Sequence, residues 1–330
     1  MYKRQSSDGS IVAIGAPGNE PGNRGHVRIY QNKIGKWEQI GSDIDGEAAW
    51  DNFGRSVSLS SDGSFVAIGA YGNNGANGAD TGHVRIYQNI NNAWIKVGHD
   101  IDGEAANDKS GSEQSVSLSS DGSVVAIGSY LNDDNGVDSG HVRIFQNFGG
   151  EWQKVGNTLV GEGSNDQSGK AISLSDDGSV VAIGSYLNDD NGDDSGHVRI
   201  YHNQNGTWEQ IGEDIVGEAI GDYSGQSVSL SSDGSVVAIG ATLNSNGATS
   251  IGNELWRGHV RIYQNVDGTW TKVGDDIDGE LAEDKSGGVV SLSADGSIVA
   301  IGAVQNDGNG DNSGHVRIYQ NVDGTWTKVG

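Results

Sequence analysis

No cysteine occurs in the 330 residues, so no disulfide, thiolate metal site or thiol redox couple is available to the chain. Proline (2 residues) and methionine (1 residue) are nearly missing too. Cationic side chains are scarce: 20 Lys and Arg stand against 45 Asp and Glu, a formal charge of -25. A surface of that sign repels nucleic acid and anionic membrane, and favours cations or basic surfaces as partners. Apolar runs such as SVVAIGSY at 123 to 130 are too short to cross a bilayer, so no membrane insertion is expected. The opening MYKRQSSDGS likewise has no apolar core of a signal peptide. What the chain has in excess is glycine, 54 residues, and such a narrow vocabulary points to one short unit copied many times.

The unit is visible in GHVRI, which begins at Gly25, Gly82, Gly140, Gly196, Gly258 and Gly314, in steps of 57, 58, 56, 62 and 56 residues. Ahead of it stand an alternating SVSLS-like segment and a VAIG-like apolar run, joined by Ser-Asp-Gly, as at Ser61 to Gly63. Behind it comes a Trp four residues before a Gly, as in Trp208 and Gly212. Strict alternation and short β-branched runs predict strands, and no stretch has the helical period. Asp capping its own turn and Gly supplying positive φ predict a tight hairpin at each Ser-Asp-Gly. Four short antiparallel strands repeated six times predict a six-bladed β-propeller, all-β, filling residues 1–330 as a single domain.

Phe53-Gly54 at the opening of one unit and Gly15-Ala16-Pro17 at the close of a VAIGAP segment resemble the FG-GAP repeat of integrin alpha-subunit propellers. Elsewhere FG becomes Ser-Gly, as at Ser110-Gly111, Ser168-Gly169, Ser224-Gly225 and Ser286-Gly287. The order of SLSSDGSVVAIGS and HVRIY is more distantly similar to WD-repeat propellers. The FG-GAP resemblance implies an extracellular or cell-surface protein that binds a protein ligand, with calcium as a candidate cofactor. The family's calcium ligands do not carry over to the first hairpin, which here is only Ser-Asp-Gly-Ser.

Connections in an up-and-down blade alternate between its two ends, so the second-to-third-strand link shares an end with the link to the next blade. Both are acidic. The first kind includes NDDNGVDSG (132 to 140), NDDNGDDSG (188 to 196) and NDGNGDNSG (306 to 314), the second DIDGEAANDKSG (100 to 111) and its counterparts. Asp133, Asp134, Asp138, Asp189, Asp190, Asp193, Asp194, Asp307 and Asp311 are therefore candidate calcium ligands, hard oxygens on short glycine-bearing loops, against the alternative of solvated Asx turns. The spacing is not that of an EF-hand.

Residues present in every unit are expected to serve the blade. The six GHVRI histidines (His26, His83, His141, His197, His259, His315) are read as structural, each histidine or its neighbouring arginine bonding a carboxylate of the interblade links, and Trp37, Trp94, Trp152, Trp208, Trp270 and Trp326 as core. Residues that break the repeat are the functional suspects: Trp50, Phe53, Tyr223, Trp256 and Arg257, as exposed ligand-binding groups, with the alternative that each fills a local gap.

No GxSxG, HExxH or P-loop is present, and the expectation is a non-enzymatic binding or interaction module. A protein ligand is the first reading. A glycan ligand held by Trp50, Trp256 and Tyr223 is the second, and a structural unit of a surface assembly the third. The first strand of the first unit, Tyr2 to Gln5, has lost its alternation, so self-association at the seam between first and sixth blades is expected. A lone sequon, Asn205-Gly206-Thr207, lies in a predicted turn.

Overall fold

The computed structural model describes residues 2–19, 22–245 and 256–330. The chain is an all-β, six-bladed propeller of four-stranded antiparallel blades, with no helix among the described residues. In the first blade β1 (Tyr2–Gln5), β2 (Ile11–Ala16), β3 (His26–Lys33) and β4 (Lys36–Gln39) are hydrogen-bonded in sequence order. β1 pairs with β2 despite its lost alternation, Tyr2 opposite Gly15 and Gln5 opposite Val12, because backbone groups make the ladder.

One element was not foreseen. The DIDGE segment, read from sequence as a link, begins with a two-residue strand, β5 (Ile44–Asp45), which pairs with the start of β3 while β4 pairs with its end. The next four blades repeat it at Ile101–Asp102, Leu159–Val160, Ile215–Val216 and Ile277–Asp278.

The Ser-Asp-Gly turns form as expected. Asp62 Oδ1 accepts from Ser60 Oγ at 2.7 Å and from Ser64 N at 2.9 Å, and Gly63 takes a φ of 68°. The carboxylate thereby replaces backbone partners that a two-residue turn cannot supply.

Packing divides the chain into two compact units, residues 1–164 with 168–170 and 176–178, and residues 165–167 and 171–175 with 179–330. Within the first, Ala13, Val27 and Ile29 of blade one meet Val57, Leu59, Val66 and Ile68 of blade two. Val84 and Ile86 meet Val116, Leu118 and Ile127 of blade three in the same way. Within the second, Val198 and Ile200 of blade four meet Val228, Leu230 and Ile239 of blade five, and Val260 and Ile262 meet Val290, Val299 and Ile301 of blade six. Blades two and five thus bury both faces of their strands, alternate side chains serving alternate neighbours.

Candidate functional site

The acidic second-to-third-strand links are first of all turns. Asp133 Oδ1 accepts from Asp138 N and Asp189 Oδ1 from Asp194 N, both at 2.8 Å, and Asp307 Oδ1 accepts from Asn312 N at 2.6 Å. Asp138 and Asp194 sit at φ 52° and 53°, the left-handed conformation Asp tolerates at a turn. Asp134 and Asp190 turn inward instead, each Oδ2 lying 3.0 Å from Nδ1 of His141 and His197. Asp193 and Asp311 are exposed. Burial, with Asp189 and Asp193 close by, pushes the Asp194 carboxyl above its ordinary value.

The two kinds of acidic link share one end of the blade, as expected. Asn135 Nδ2 donates to Gly161 O at 2.9 Å, and Asn191 Nδ2 to Gly217 O at 2.8 Å. A set of loop-bracing residues went unnoticed in the sequence: Asp108, Asp222 and Asp284, buried in the interblade links, where each Oδ2 accepts the two backbone N–H groups of the preceding Glu and its neighbour. The signal was the constant four-residue spacing from that Glu.

Five of the six repeated histidines are buried and His315 is half-buried, and the carboxylates expected to bond the histidine or its neighbouring arginine are met unevenly. His141 and His197 bond the link inside their own blade, whereas His83 and His259 lie 3.9 Å from Asp100 and Asp276 of the interblade links. Burial and the adjacent Arg85 or Arg261 depress His83 and His259 to about 4, so both are neutral at pH 7, with Nε2 buried and without a hydrogen-bond partner. Three clusters gather one histidine and two carboxylates with ligand atoms within 4.8 Å of one another: Glu47, His83 and Asp100; Glu104, Asp134 and His141; Glu218, His259 and Asp276. Such groups could hold a metal ion, since neutral imidazole and carboxylate are both donors. In the first, Arg85 already bonds Glu47 and Asp100, so a cation there would have to displace a guanidinium.

The five repeat-breaking residues have different fates. Trp50 is 64% exposed, with φ 74°. Phe53, expected at the surface, is fully buried: it occupies the Ser position of the other Ser-Gly links, bridges to Gly25 and packs into the core between blades one and two. Tyr223 packs edge-on against Tyr186 at 5.5 Å. Trp256 is half-buried with Lys285 Nζ 5.4 Å from its ring centroid, and the Arg257 carbonyl accepts from Ser286 N. The rest of that insertion, residues 246–255, lies outside the described residues.

A concave site appears where β5-like strands meet the Trp of the next blade. In the first unit, His99, Asp100, Ile101, Asp102, Arg143, Phe145, Glu151 and Trp152 line a cleft of about 220 Å³. Trp152 is fixed there by its indole N–H donating to Val97 O at 3.1 Å, and Arg143 by Nη2 donating to the Asp102 carbonyl at 2.8 Å. The two aspartates are driven apart. Burial opposes ionisation of Asp100, but bonds from Arg85 and Lys96 outweigh it and hold the group at about 2, while burial and the Asp100 charge raise Asp102. Paired carboxylates separated in this way are a common arrangement for acid and base roles. At the mouth, His99 Nε2 stands 4.0 Å from Glu151 Oε2. His99 was missed in the sequence although it breaks the repeat, replacing Ser42, Glu213 or Asp275 of other units. The related cleft between blades four and five has Val216 in place of Asp102.

Residues 43–87 match the model of the FG-GAP repeat, so the chain carries an FG-GAP-like propeller. No curated protein matches it. Among solved structures, a candidate 6-phosphogluconolactonase of Bacteroides uniformis ATCC 8492 is similar at 13% identity and TM-score 0.65, over 99% of this chain and 83% of that one. A second candidate 6-phosphogluconolactonase, of Bacteroides fragilis NCTC 9343, gives 15% and 0.60 over 99% and 82%, and the periplasmic gluconolactonase PpgL of Pseudomonas aeruginosa 15% and 0.58 over 99% and 83%. Likeness at this level is one of fold. The expectation of a non-enzymatic binding module is nevertheless overturned, since three propellers matched along nearly the whole chain bear names of enzymes.

Proposed function

We propose that the chain is a hydrolase of cyclic sugar esters, working in the cleft of His99, Asp102, Arg143, Glu151 and Trp152. The observation that carries this reading is the convergence in one cleft of an imidazole, a guanidinium, a carboxyl of raised pKa and an aromatic wall. The names of the similar propellers support the substrate class. The cleft lies below the roughly 300–1,000 Å³ usual for ligand pockets, which suits a single sugar ring.

In the proposed reaction His99, oriented by Glu151, takes a proton from water as its oxygen attacks the ring carbonyl carbon. Arg143 faces the carbonyl oxygen as charge develops there. The imidazolium then passes that proton by way of Asp102, whose carboxylate is made more basic by burial and the Asp100 charge, to the ring oxygen as the acyl C–O bond breaks, leaving an open-chain acid. Trp152 supports the sugar face. With a formal charge of -25 the chain favours an uncharged lactone over a phosphorylated one.

The test is acid release from gluconolactone and its 6-phosphate, followed by pH-stat above the spontaneous rate. Wild type should exceed the blank, and His99→Ala, Asp102→Asn and Arg143→Lys should each fall by about 10²-fold. A wild-type rate equal to that of His99→Ala would sink the reading.

Calcium is proposed as the ion of the loop carrying Asp189, Asp193 and Asp194, a reading supported by the charge crowding around Asp194. A location outside the cytoplasm is proposed with it, supported by the FG-GAP match.

A further inference from the structure

The two ring nitrogens of His141 are placed unequally. Nδ1 lies 3.0 Å from Asp134 Oδ2, and a carboxylate only accepts, so Nδ1 carries the proton. Nε2 is left as a bare lone pair. It is buried, has no hydrogen-bond partner among the described residues, and belongs to a side chain with 0% exposure. It faces Glu104 Oε2 at 3.9 Å, a second atom that only accepts. Two acceptors held together without a proton between them repel unless a positive centre joins them.

His83 in the preceding blade shows how the repeat manages without such a centre. The seventh residue before His83 is Ala76, so no carboxylate meets its ring from that position, and the Arg85 guanidinium pairs with both Glu47 and Asp100. In blade three Asp134 stands at the Ala76 position and Thr158 at that of Asp100. Lacking the carboxylate of its own link, Arg143 turns Nη2 to the Asp102 carbonyl at 2.8 Å, and its Nη1 reaches only to 3.5 Å from Glu104 Oε1. Both substitutions break the repeat, and they act together. One fixes the imidazole with Nε2 unprotonated, and the other draws the competing guanidinium away from Glu104 Oε2.

We propose that His141 Nε2 and Glu104 Oε2 bind a divalent transition-metal ion of the zinc class, with Asp134 as the carboxylate that orients the imidazole through Nδ1. An imidazole that ligates through one nitrogen and donates from the other to a carboxylate is a recurrent arrangement at zinc. Imidazole as a donor favours zinc, nickel or copper over calcium and magnesium, which prefer oxygen alone. Zinc bonds of about 2.1 Å bridge 3.9 Å at a wide angle, and rotation of Glu104, 46% exposed, closes it toward tetrahedral. The same exposure gives the ion its path from solvent. Two protein ligands leave the other positions to water, so the ion is exchangeable. This site shares no ligand with the loop of Asp189 and Asp194, and it stands independently of the hydrolase reading.

Zinc titration of the whole chain after chelator treatment tests it, followed by calorimetry and by 15N-resolved NMR of the histidine side chains. His141→Gln assigns the His141 resonances, and should it fail to fold, Asp134→Asn assigns them through the altered Nδ1 proton. Before zinc, His141 should be protonated on Nδ1 alone; zinc should then move the Nε2 resonance and leave the Nδ1 proton in place. Asp134→Asn should weaken that response about 10-fold or more. Glu104→Gln, at an exposed position, should weaken it further at an unchanged melting temperature, and excess calcium should not displace the zinc. The proposal is overturned by an Nε2 already protonated at neutral pH, or by an Nε2 resonance that stays still at saturating zinc. Zinc binding at His141 that survives Glu104→Gln undiminished, or that yields to calcium, overturns it equally.

Discussion

Asn306 Nδ2 donates to Asp284 Oδ1 at 2.9 Å, joining the acidic loop within blade six to the link that enters it. The other oxygen of Asp284 accepts Glu280 N at 3.0 Å and Leu281 N at 2.9 Å, so one buried carboxylate satisfies three donors. Asp284→Ala strands all three and is expected to cost about 3 kcal/mol, with Asn306→Ala costing about half as much. Urea titration of both variants measures the difference. Equal and negligible losses would show that water replaces the carboxylate.

Trp94 of blade two donates its indole N–H to the Ile40 carbonyl of blade one at 3.0 Å. Trp94→Phe keeps most of the ring and loses that bond, so stability should fall by about 1 kcal/mol. Trp94→Ala, which loses the ring as well, should cost several times more, and thermal melts of the two variants separate the bond from the ring's bulk.

Much of the blade was legible because its signals are local. The Ser-Asp-Gly turn is specified by Asp62 and Gly63 alone, and the alternation of HVRIY states which side chains share a face. What depends on a neighbour could not be read. HVRIY is the same string in blades five and six, but Ile262 is buried and Ile318 exposed, because burial belongs to the pair of blades and not to the strand. The cleft was missed for the same reason: Asp102 and Trp152 lie in different units of the repeat and meet only across an interface. Phe53 was misassigned because breaking a repeat marks either a ligand contact or a filled gap, and here the gap lay in the core.

Gly69 and Gly302 give a paired test of that dependence. An alanine methyl at Gly69 would stand 2.0 Å from Gly111 O, a backbone atom that moves only if two blades separate. Gly69→Ala should destabilise by several kcal/mol or prevent folding, as overpacking against backbone does. At Gly302 the nearest atom is at 3.6 Å, so Gly302→Ala should leave the melting point of the monomer within a degree or two.

The proposed ion is checked by melting temperature in excess calcium, in magnesium and in chelator. An ion that binds only the folded state raises it. A rise of several degrees in calcium alone is expected, and Asp189→Asn with Asp194→Asn should abolish it. Identical curves in calcium and magnesium would reduce the loop to a solvated turn.

Stability should depend on pH through His83 and His259. Both are held neutral, depressed from 6.5 to about 4 by burial and by the neighbouring arginine. The unfolded chain therefore binds more protons than the folded one between those values. The stabilisation is complete above pH 6.5 and is lost as pH falls toward 4. His83 contributes roughly 3 kcal/mol across that window, at ~1.4 kcal/mol per pH unit, and His259 acts in the same direction. Asp100, held at about 2, adds a separate loss that begins only below its ordinary 3.8. Denaturation midpoints should thus be flat near neutrality and fall steeply between pH 6.5 and 4. In the double variant His83→Gln with His259→Gln, the protein should be somewhat weaker at neutral pH and lose most of that slope. A slope unchanged in the double variant would assign acid sensitivity to the carboxylates instead.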